Sequence, residues 1–260
     1  MISRSSKGFA LGLIFASLLS GCMGQASRLA VAELLTVTPS ETPIPIATFT
    51  ALPTPTLTPK PAEICSPLVV QELGKLEQII TQPFQMPRVM PDGSYSDEGH
   101  HGLDLGYYTR DGALFTGTGV RSAFTGNVAG LVKDRPPYGN AIVIESNFEN
   151  VPPDVRDALS MVHGDALYTL YGHLQNMAPL EAGMVLDCGE AFAETGLTGF
   201  TGGPHLHIEI RLGPPGQIFD SMGYYRADMS ELERTNYLLW RTSGQFRLVD
   251  PITAFLLRAE

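Results

Sequence analysis

Hydrophobic and polar residues alternate in several stretches of the second half of the chain. The stretches contain many β-branched and aromatic residues and are separated by Gly, Pro, Asn and Asp. Period-two alternation of this kind is typical of strands with one buried face. The sequence therefore predicts a mainly β domain with antiparallel sheets over residues 65–260. The predicted strand regions are VRSAFTGNVAGLV (120–132), NAIVIES (140–146), ALYTLYGHL (166–174) and HLHIEIRL (205–212).

Helical patterns are scarce. The spacing of apolar residues predicts short helices near Val69–Thr81, Pro153–Val162 and Met229–Trp240. Residues 146–166 carry no strand signal, so they are interpreted as an insertion in a hairpin. These helices are expected at the edge of the β domain.

The first residues have the features of an export signal. Arg4 and Lys7 precede an apolar run that is too short to span a bilayer, and Leu-Ser-Gly-Cys follows at positions 19–22. This ending resembles a bacterial lipobox, which predicts a lipoprotein signal peptide over residues 1–21, lipidation of Cys22 and an extracytoplasmic, membrane-anchored protein. The alternative is an ordinary secretory signal that contains a cysteine.

Residues 22–64 differ in composition from the rest of the chain. They are rich in Thr and Pro and have no periodic apolar face, so they cannot offset the entropy of ordering by packing. We interpret them as a disordered linker that holds the domain away from the membrane. A disordered tail without a function is the alternative.

The charge balance excludes one class of partner. The chain has 17 basic and 27 acidic residues, a net charge of −10, which becomes −12 when residues 1–21 with their two positive charges are removed. Nucleic-acid binding needs a basic surface, so no nucleic-acid partner is expected. An acidic protein does not attach to anionic lipid by charge, so a lipid anchor would have to supply membrane binding.

Two cysteines remain after Cys22. In an exported protein the pair Cys65 and Cys188 predicts a disulfide. The alternative, that one of them is a zinc ligand, lacks a CxxC partner or a neighbouring histidine.

Titratable residues are concentrated in two short segments, HHGLD (100–104) and HLHIE (205–209). On a strand, His205, His207 and Glu209 share one face, and the apolar residues between them are expected to face the core. A fully extended HHGLD segment spans roughly 13 Å, so His100 and Asp104 can share a metal only if the backbone bends. Gly102 tolerates unusual dihedral angles and has no Cβ, which makes it the expected position of the bend.

Three motifs in order carry a family resemblance. They are HxxxD at residues 100–104, YGHL at 171–174 and HLH at 205–207, the last after the Gly-rich run GLTGFTGGP. Over residues 98–212 the chain resembles lysostaphin/LytM-type zinc endopeptidases, which cleave peptidoglycan cross-links. The resemblance implies a groove-bearing β-sandwich or barrel with short peripheral helices and a core of about residues 85–212. It also implies one zinc ion held by His100, Asp104 and His207, with His173 and His205 as the catalytic pair.

The remaining candidate residues receive other interpretations. Glu209 is either a hydrogen-bond acceptor for a ligand histidine or a solvated surface carboxylate. His101 is interpreted as flanking the motif, and His163 has no companion. Trp240 is expected to be buried and not a platform for sugars. The insertion 146–166 and the tail 213–248 are expected to wall the groove or to contact a partner.

These observations predict a zinc-dependent endopeptidase that acts on peptidoglycan and is tethered through lipidated Cys22. One alternative is a noncatalytic protein of LytM type that activates a separate cell-wall amidase. Another is a structural lipoprotein that links membrane and wall. A cell-wall amidase or a regulator is therefore a further expected type of partner.

Overall fold

The structure is a computed structural model that describes residues 61–109 and 111–256. The predicted signal peptide, Cys22 and the linker up to residue 60 lie outside the described residues. In the part of the chain that is described, no helix has the length and apolar character needed to cross a membrane.

The described residues form strands of very different length, and the two longest, β4 and β5, form a hairpin. The strands are β1 (Ile80–Gln82), β2 (Leu103–Leu105), β3 (Gly119–Arg121), β4 (Gly126–Arg135), β5 (Gly139–Asn147), β6 (Ala166–Gly172), β7 (Leu174–Gln175), β8 (Val185–Leu186), β9 (Ala191–Thr195), β10 (Leu206–Gly213) and β11 (Arg247–Val249).

The strands form two antiparallel sheets. The larger one has the order β1-β2-β10-β6-β5-β4-β8, and β11 also pairs with β10. The smaller one has the order β3-β9-β7. The prediction of a mainly β, antiparallel fold is confirmed. The run 120–132 contains parts of two strands in different sheets, because the chain leaves β3 at Arg121 and enters β4 at Gly126.

Helical segments are few and short. Residues Pro153–Ala158 (α1) lie between β5 and β6, which pair with each other, so residues 146–166 do connect a hairpin. Residues Glu231–Arg241 (α2) begin with a capping box at Ser230, and Pro251–Phe255 form α3. The prediction of a helix over 69–81 is partly wrong: a 3₁₀ helix covers Leu73–Ile79, and β1 follows it. A second 3₁₀ turn covers Phe148–Asn150.

Both faces of the larger sheet are buried. Leu206, Ile208 and Ile210 belong to the main hydrophobic cluster on one face. The other face is covered by the C-terminal segment, where Phe219 and Trp240 pack in a second cluster. The expectation that the apolar side of β10 faces the core is confirmed, and the opposite side is covered as well, since all eight residues of β10 are buried. The tail covers the side of the sheet that carries Glu209.

Cys65 and Cys188 form a disulfide with an S–S distance of 2.06 Å. The predicted pairing is confirmed. Because both sulfurs are bonded to each other, the alternative that one of them binds zinc is wrong.

Candidate metal centre

Strand pairing brings two of the candidate residues together. Asp104 on β2 lies directly opposite His207 on β10, and cross-strand neighbours have their side chains close together. His207 Nδ1 is 2.8 Å from Asp104 Oδ1. Gly102 allows the approach, because a Cβ there would lie 2.6 Å from His207 Cε1. Of the two reasons for expecting a glycine at position 102, the missing Cβ is confirmed. The unusual backbone conformation is not, because Gly102 has no positive φ, whereas Gly99 and Gly106 do.

His100 completes a group of three. Its Nε2 lies 3.1 Å from Asp104 Oδ1 and 3.2 Å from His207 Nδ1. Its Nδ1 is 2.9 Å from the carbonyl oxygen of Pro83, which can only accept, so Nδ1 carries the hydrogen. In the neutral ring, Nε2 therefore presents a lone pair to the group.

His207 is fixed from the other side. Its Nε2 is 3.2 Å from Glu209 Oε1, so Nε2–H donates to that carboxylate and Nδ1 is directed at Asp104. Burial lowers the pKa of His207, but the hydrogen bonds to Asp104 and Glu209 outweigh it and raise the pKa to about 9. Burial would raise the pKa of Asp104, yet the hydrogen bonds of the surrounding imidazoles hold it well below its usual range. The two carboxylates thus favour positive charge at this position.

His173 and His205 lie beside this group, with ring centroids 4.8 Å apart. His173 follows β6 with a left-handed φ of +60°, which interrupts the strand. Its Nδ1–H donates to the carbonyl of Thr198 at 2.7 Å, and His205 Nδ1–H donates to the carbonyl of Gly203 at 2.8 Å. Burial lowers the pKa of His173 to about 3, with nearby imidazoles contributing, so its ring is neutral at neutral pH.

His205 has an unsatisfied atom. Its Nε2 is buried without a hydrogen-bond partner, although it lies 3.3 Å from Asp104 Oδ1. Buried polar atoms in proteins nearly always have a hydrogen-bond partner. An unpaired His205 Nε2 next to a group of possible metal ligands therefore indicates that a ligand normally fills the space between them.

The donor set fits zinc. Two ligands at zinc distances of about 2.0–2.1 Å in tetrahedral geometry lie roughly 3.3 Å apart. The three atoms of His100, Asp104 and His207 are 2.8, 3.1 and 3.2 Å apart, within a few tenths of an ångström of that value. A second possible group of ligands, His173, His205 and His207, shares His207 with the first.

Glu209 is the centre of a buried polar network behind His207. It is fully buried, so the interpretation as a solvated surface carboxylate is wrong. Burial would raise its pKa, but the positive charge of Arg211 and the other donors around it lower the pKa well below the usual value. Its two oxygens accept hydrogen bonds from His207, Tyr138, Trp240, Arg211 and Arg241.

Several of the residues that donate hydrogen bonds to Glu209 were not identified from the sequence. Arg211 follows Glu209 by two residues on β10, so the alternation of the strand alone indicates that the two side chains lie on the same face. Tyr138 and Arg241 come from distant segments, and nothing near them in the sequence indicates the contact. Trp240 is fully buried, as expected, and its Nε1–H donates to Glu209 Oε2 at 2.9 Å.

Two histidines lie outside the group. His101 is fully buried and accepts a hydrogen bond from Arg211 Nη2 at its Nδ1, so it flanks the motif, as predicted. Burial lowers the pKa of His101 to about 4. His163 stacks on Phe148 in the β5–β6 connection, with centroids 4.0 Å apart.

The group opens into a cavity of about 270 Å³. His100, His173, His205, His207 and Asp104 line this cavity. The other lining residues are Gln82, Tyr107, Pro137, Tyr138, Phe200, Thr201, Gly202 and Arg241. The expectation that the tail walls the groove is met at Arg241. A substrate placed in this cavity would touch His173, His205 and the candidate ligands together.

Comparison with known proteins finds a family match in one segment of the chain. Residues 154–218 match the model of Peptidase family M23. The match includes His173, His205 and His207 and begins after Asp104. The resemblance inferred from the three motifs is thereby confirmed, because this segment of the chain matches the model of the same family. No curated protein matches the sequence.

Three solved structures are similar in part. A zinc-containing peptidase from Vibrio cholerae is 27% identical, with 51% of this chain and 33% of that chain covered and a TM-score of 0.34. The catalytic domain of lysostaphin from Staphylococcus simulans is 19% identical, with 53% and 83% covered and a TM-score of 0.35. A catalytic-domain mutant of the M23 protein EnpA from Enterococcus faecalis is 21% identical, with 54% and 85% covered and a TM-score of 0.34. The chain thus spans a third of the Vibrio peptidase.

Proposed function

We propose that the protein is a zinc-dependent endopeptidase that hydrolyses peptide bonds in peptidoglycan cross-links. The observation that carries the proposal is a shared pattern in four histidines. Each has one ring nitrogen fixed on a carbonyl or carboxylate oxygen, while its other nitrogen lies at the group around Asp104 or at the cavity. A site prepared in this way suits a metal and a polar substrate.

His100, Asp104 and His207 would hold the ion, because their donor atoms lie 2.8–3.2 Å apart and the carboxylates of Asp104 and Glu209 compensate its charge. When bound, zinc supplies an activated water and polarises the carbonyl of the scissile bond. Pro83 and Glu209 keep the ligand imidazoles in the required tautomers. The chain therefore provides three ligands and leaves the cavity side open.

His173 and His205 would carry the proton and the developing charge. Their Nδ1–H groups are used by backbone carbonyls, so Nε2 is the ring nitrogen of each that can accept a proton. One of them would accept a proton from the attacking water at Nε2 and pass it to the nitrogen of the leaving amine, and the other, when protonated at Nε2, would donate a hydrogen bond to the tetrahedral oxyanion. A noncatalytic activator of an amidase would have no use for these two unoccupied nitrogens.

The activity is tested with purified protein and cross-linked peptidoglycan. We expect new free amino groups and shorter peptide cross-links after incubation, a complete loss of this activity after dialysis against a chelator, and its return on addition of zinc. Wild-type protein that binds zinc and cuts no peptidoglycan, but stimulates an added cell-wall amidase, would favour the activator function instead.

Attachment to the membrane is a separate part of the proposal, and it is supported by the sequence at residues 1–64. A lipidated Cys22 and the Thr/Pro-rich linker would place the catalytic domain outside the cytoplasm, within reach of the wall. We expect Cys22→Ser to release the processed protein from the membrane fraction or to leave it unprocessed. Membrane retention of a processed Cys22→Ser protein would contradict the anchor.

A further inference from the structure

Two exposed aromatic rings stand at the edge of the candidate catalytic cavity. Phe200 is 59% exposed and Tyr225 is 52% exposed, and their ring centroids lie 6.1 Å apart at an interplanar angle of 35°. Phe200 lines the same cavity as His173 and His205. We call Phe200 and Tyr225 the aromatic rim. Tyr225 lies beyond residue 218, where the family match ends.

The backbone under Phe200 is held firmly. Its N–H donates to the carbonyl of Pro137 at 2.8 Å. The preceding Gly199 packs so closely on the β4–β5 turn that a Cβ would lie 2.4 Å from the oxygen of Pro137 and 2.4 Å from the nitrogen of Gly139. The Phe200 ring is therefore presented to solvent from a fixed backbone.

Tyr225 is held at a conformational cost. Its φ is +68°, a region that bulky residues rarely occupy. Its hydroxyl hydrogen-bonds to Asp97 and lies 3.0 Å from the hydroxyl of Tyr237. Strained residues that the surroundings hold in place concentrate at sites that bind ligands. Here the strain and the hydroxyl contacts fix an aromatic ring that remains half exposed.

The cavity is too small to accommodate a long substrate. At about 270 Å³ it lies below the roughly 300–1,000 Å³ of pockets that enclose a drug-sized ligand. It can hold the scissile bond and the atoms next to it, so the rest of the substrate has to lie on the surface around the cavity, where the aromatic rim offers an exposed apolar contact. For a peptide bond, the nearest remaining part is an amino-acid side chain.

We propose that the aromatic rim is a subsite that binds the aliphatic side chain of a residue adjacent to the scissile bond. The inference rests on the proposed endopeptidase function and extends it to substrate selection. The Tyr225 ring is held by its hydroxyl and the Phe200 ring stands on a fixed backbone, so the two offer apolar contact at little cost in side-chain freedom, which suits a methyl or methylene group. Substrates with such a side chain at this position would be preferred over a run of glycines.

The test uses Phe200→Ala and Tyr225→Gly, each assayed with a soluble cross-linked peptide that contains no sugar. Each change should raise KM by roughly 3- to 10-fold, the range expected for loss of an aromatic contact, and leave kcat within about twofold. Zinc content should stay at the wild-type level, because neither side chain contacts the candidate ligands. Glycine adopts the positive φ found at Tyr225 without steric strain, so this substitution adds no strain to the backbone.

Leu232→Ala is the matched control, because Leu232 is 61% exposed on α2 and does not line the cavity. It should leave KM unchanged. Tyr225→Phe keeps the ring and should retain a KM close to that of the wild type. If Tyr225→Gly proves unstable, Phe200→Ala decides the matter alone.

Two outcomes would overturn the subsite while the endopeptidase function stands. One is an unchanged KM in an active Phe200→Ala protein. The other is a KM effect found only on substrates with attached glycan, which would make the rim a sugar platform. If the zinc-loaded wild type neither cuts nor binds any cross-linked peptide, the proposed function itself fails and the subsite fails with it.

Discussion

Glu209 and His205 lie on either side of His207 along one strand segment, and both are buried, yet their surroundings are opposite. Glu209 accepts hydrogen bonds from five side chains, and its charge is balanced by Arg211 and Arg241. His205 Nε2 has no partner. The back of His207 is therefore a saturated polar network, whereas its front is left unsatisfied at the cavity.

This difference separates stability from chemistry. A fully paired buried network resists the loss of any member, because the remaining charges would be stranded. An unpaired buried polar atom lowers the stability of the fold until a ligand arrives. Substitutions behind His207 should therefore lower the free energy of unfolding, and substitutions in front of it should lower activity.

The largest expected effect is on catalysis at the front. His205→Ala should reduce peptidoglycan hydrolysis by roughly 10²- to 10⁴-fold, the range for loss of a group that moves a proton. The free energy of unfolding should fall by only about 1–2 kcal/mol, because the hydrogen bond lost is the one from Nδ1–H to the carbonyl of Gly203, and Nε2 has no partner to lose. Kinetic assays and urea denaturation of the same preparation check both values. A large stability loss at unchanged activity would reverse the roles of the two sides.

At the back, Glu209→Ala should lower the free energy of unfolding by about 3–5 kcal/mol, because it leaves the charge of fully buried Arg211 without its carboxylate. Glu209→Gln keeps the shape and some hydrogen bonds and should lose less. Chemical denaturation at neutral pH gives both numbers. A Glu209→Ala protein as stable as the wild type would show that the network has no structural role.

Gly102→Ala tests the contact between the two motifs. A Cβ would approach His207 Cε1 to 2.6 Å and Ile208 O to 2.7 Å, so β2 or the imidazole has to shift. We expect a loss of about 1–3 kcal/mol in stability together with weaker zinc binding, measured by denaturation and by competition with a chelator. Gly202→Ala is the control, since a Cβ there meets no atom within 4 Å. Equal behaviour of the two variants would disprove the steric argument.

The smallest effect concerns Glu233, which anchors α2 through hydrogen bonds from Arg135 and Ser230. These bonds lower its pKa to about 2 from an ordinary value of 4.5. A lowered pKa stabilises the fold above the ordinary value, and that contribution disappears as the pH falls from about 4.5 towards 2. Glu233→Gln should therefore cost about 1–2 kcal/mol at pH 7 and progressively less below pH 4.5. Denaturation curves across this pH range decide it, and a pH-independent difference would contradict the assignment.

Local patterns in the sequence predict the strands and the front of the site well. Period-two alternation identifies β10 and places His205, His207 and Glu209 on one side, and the HxxxD spacing with a glycine indicates where His100 and Asp104 approach. The disulfide follows from the number of cysteines and the inferred export. These features depend on residues that are close in sequence or limited in number.

The back of the site depends on a tertiary contact that no local pattern encodes. The burial of Glu209 results from Trp240 and Arg241, which reach it from α2 some 30 residues away. Alternation on β10 indicates which residues share a face, but it does not show that a second layer covers that face. For the same reason Tyr138, on the turn between β4 and β5, could be found only in the structure.

The most direct test of the account is the zinc content of two inactive variants. His207→Ala removes a proposed ligand and should lose zinc together with hydrolysis, because two remaining protein ligands hold the ion poorly. His173→Ala removes a proposed catalytic group that lies in the alternative His173–His205–His207 set. It should retain about one zinc per chain while hydrolysis falls by roughly 10²- to 10⁴-fold. Elemental analysis of both proteins beside the wild type gives the answer: loss of zinc from His173→Ala would contradict the assignment of His100, Asp104 and His207 as the metal ligands.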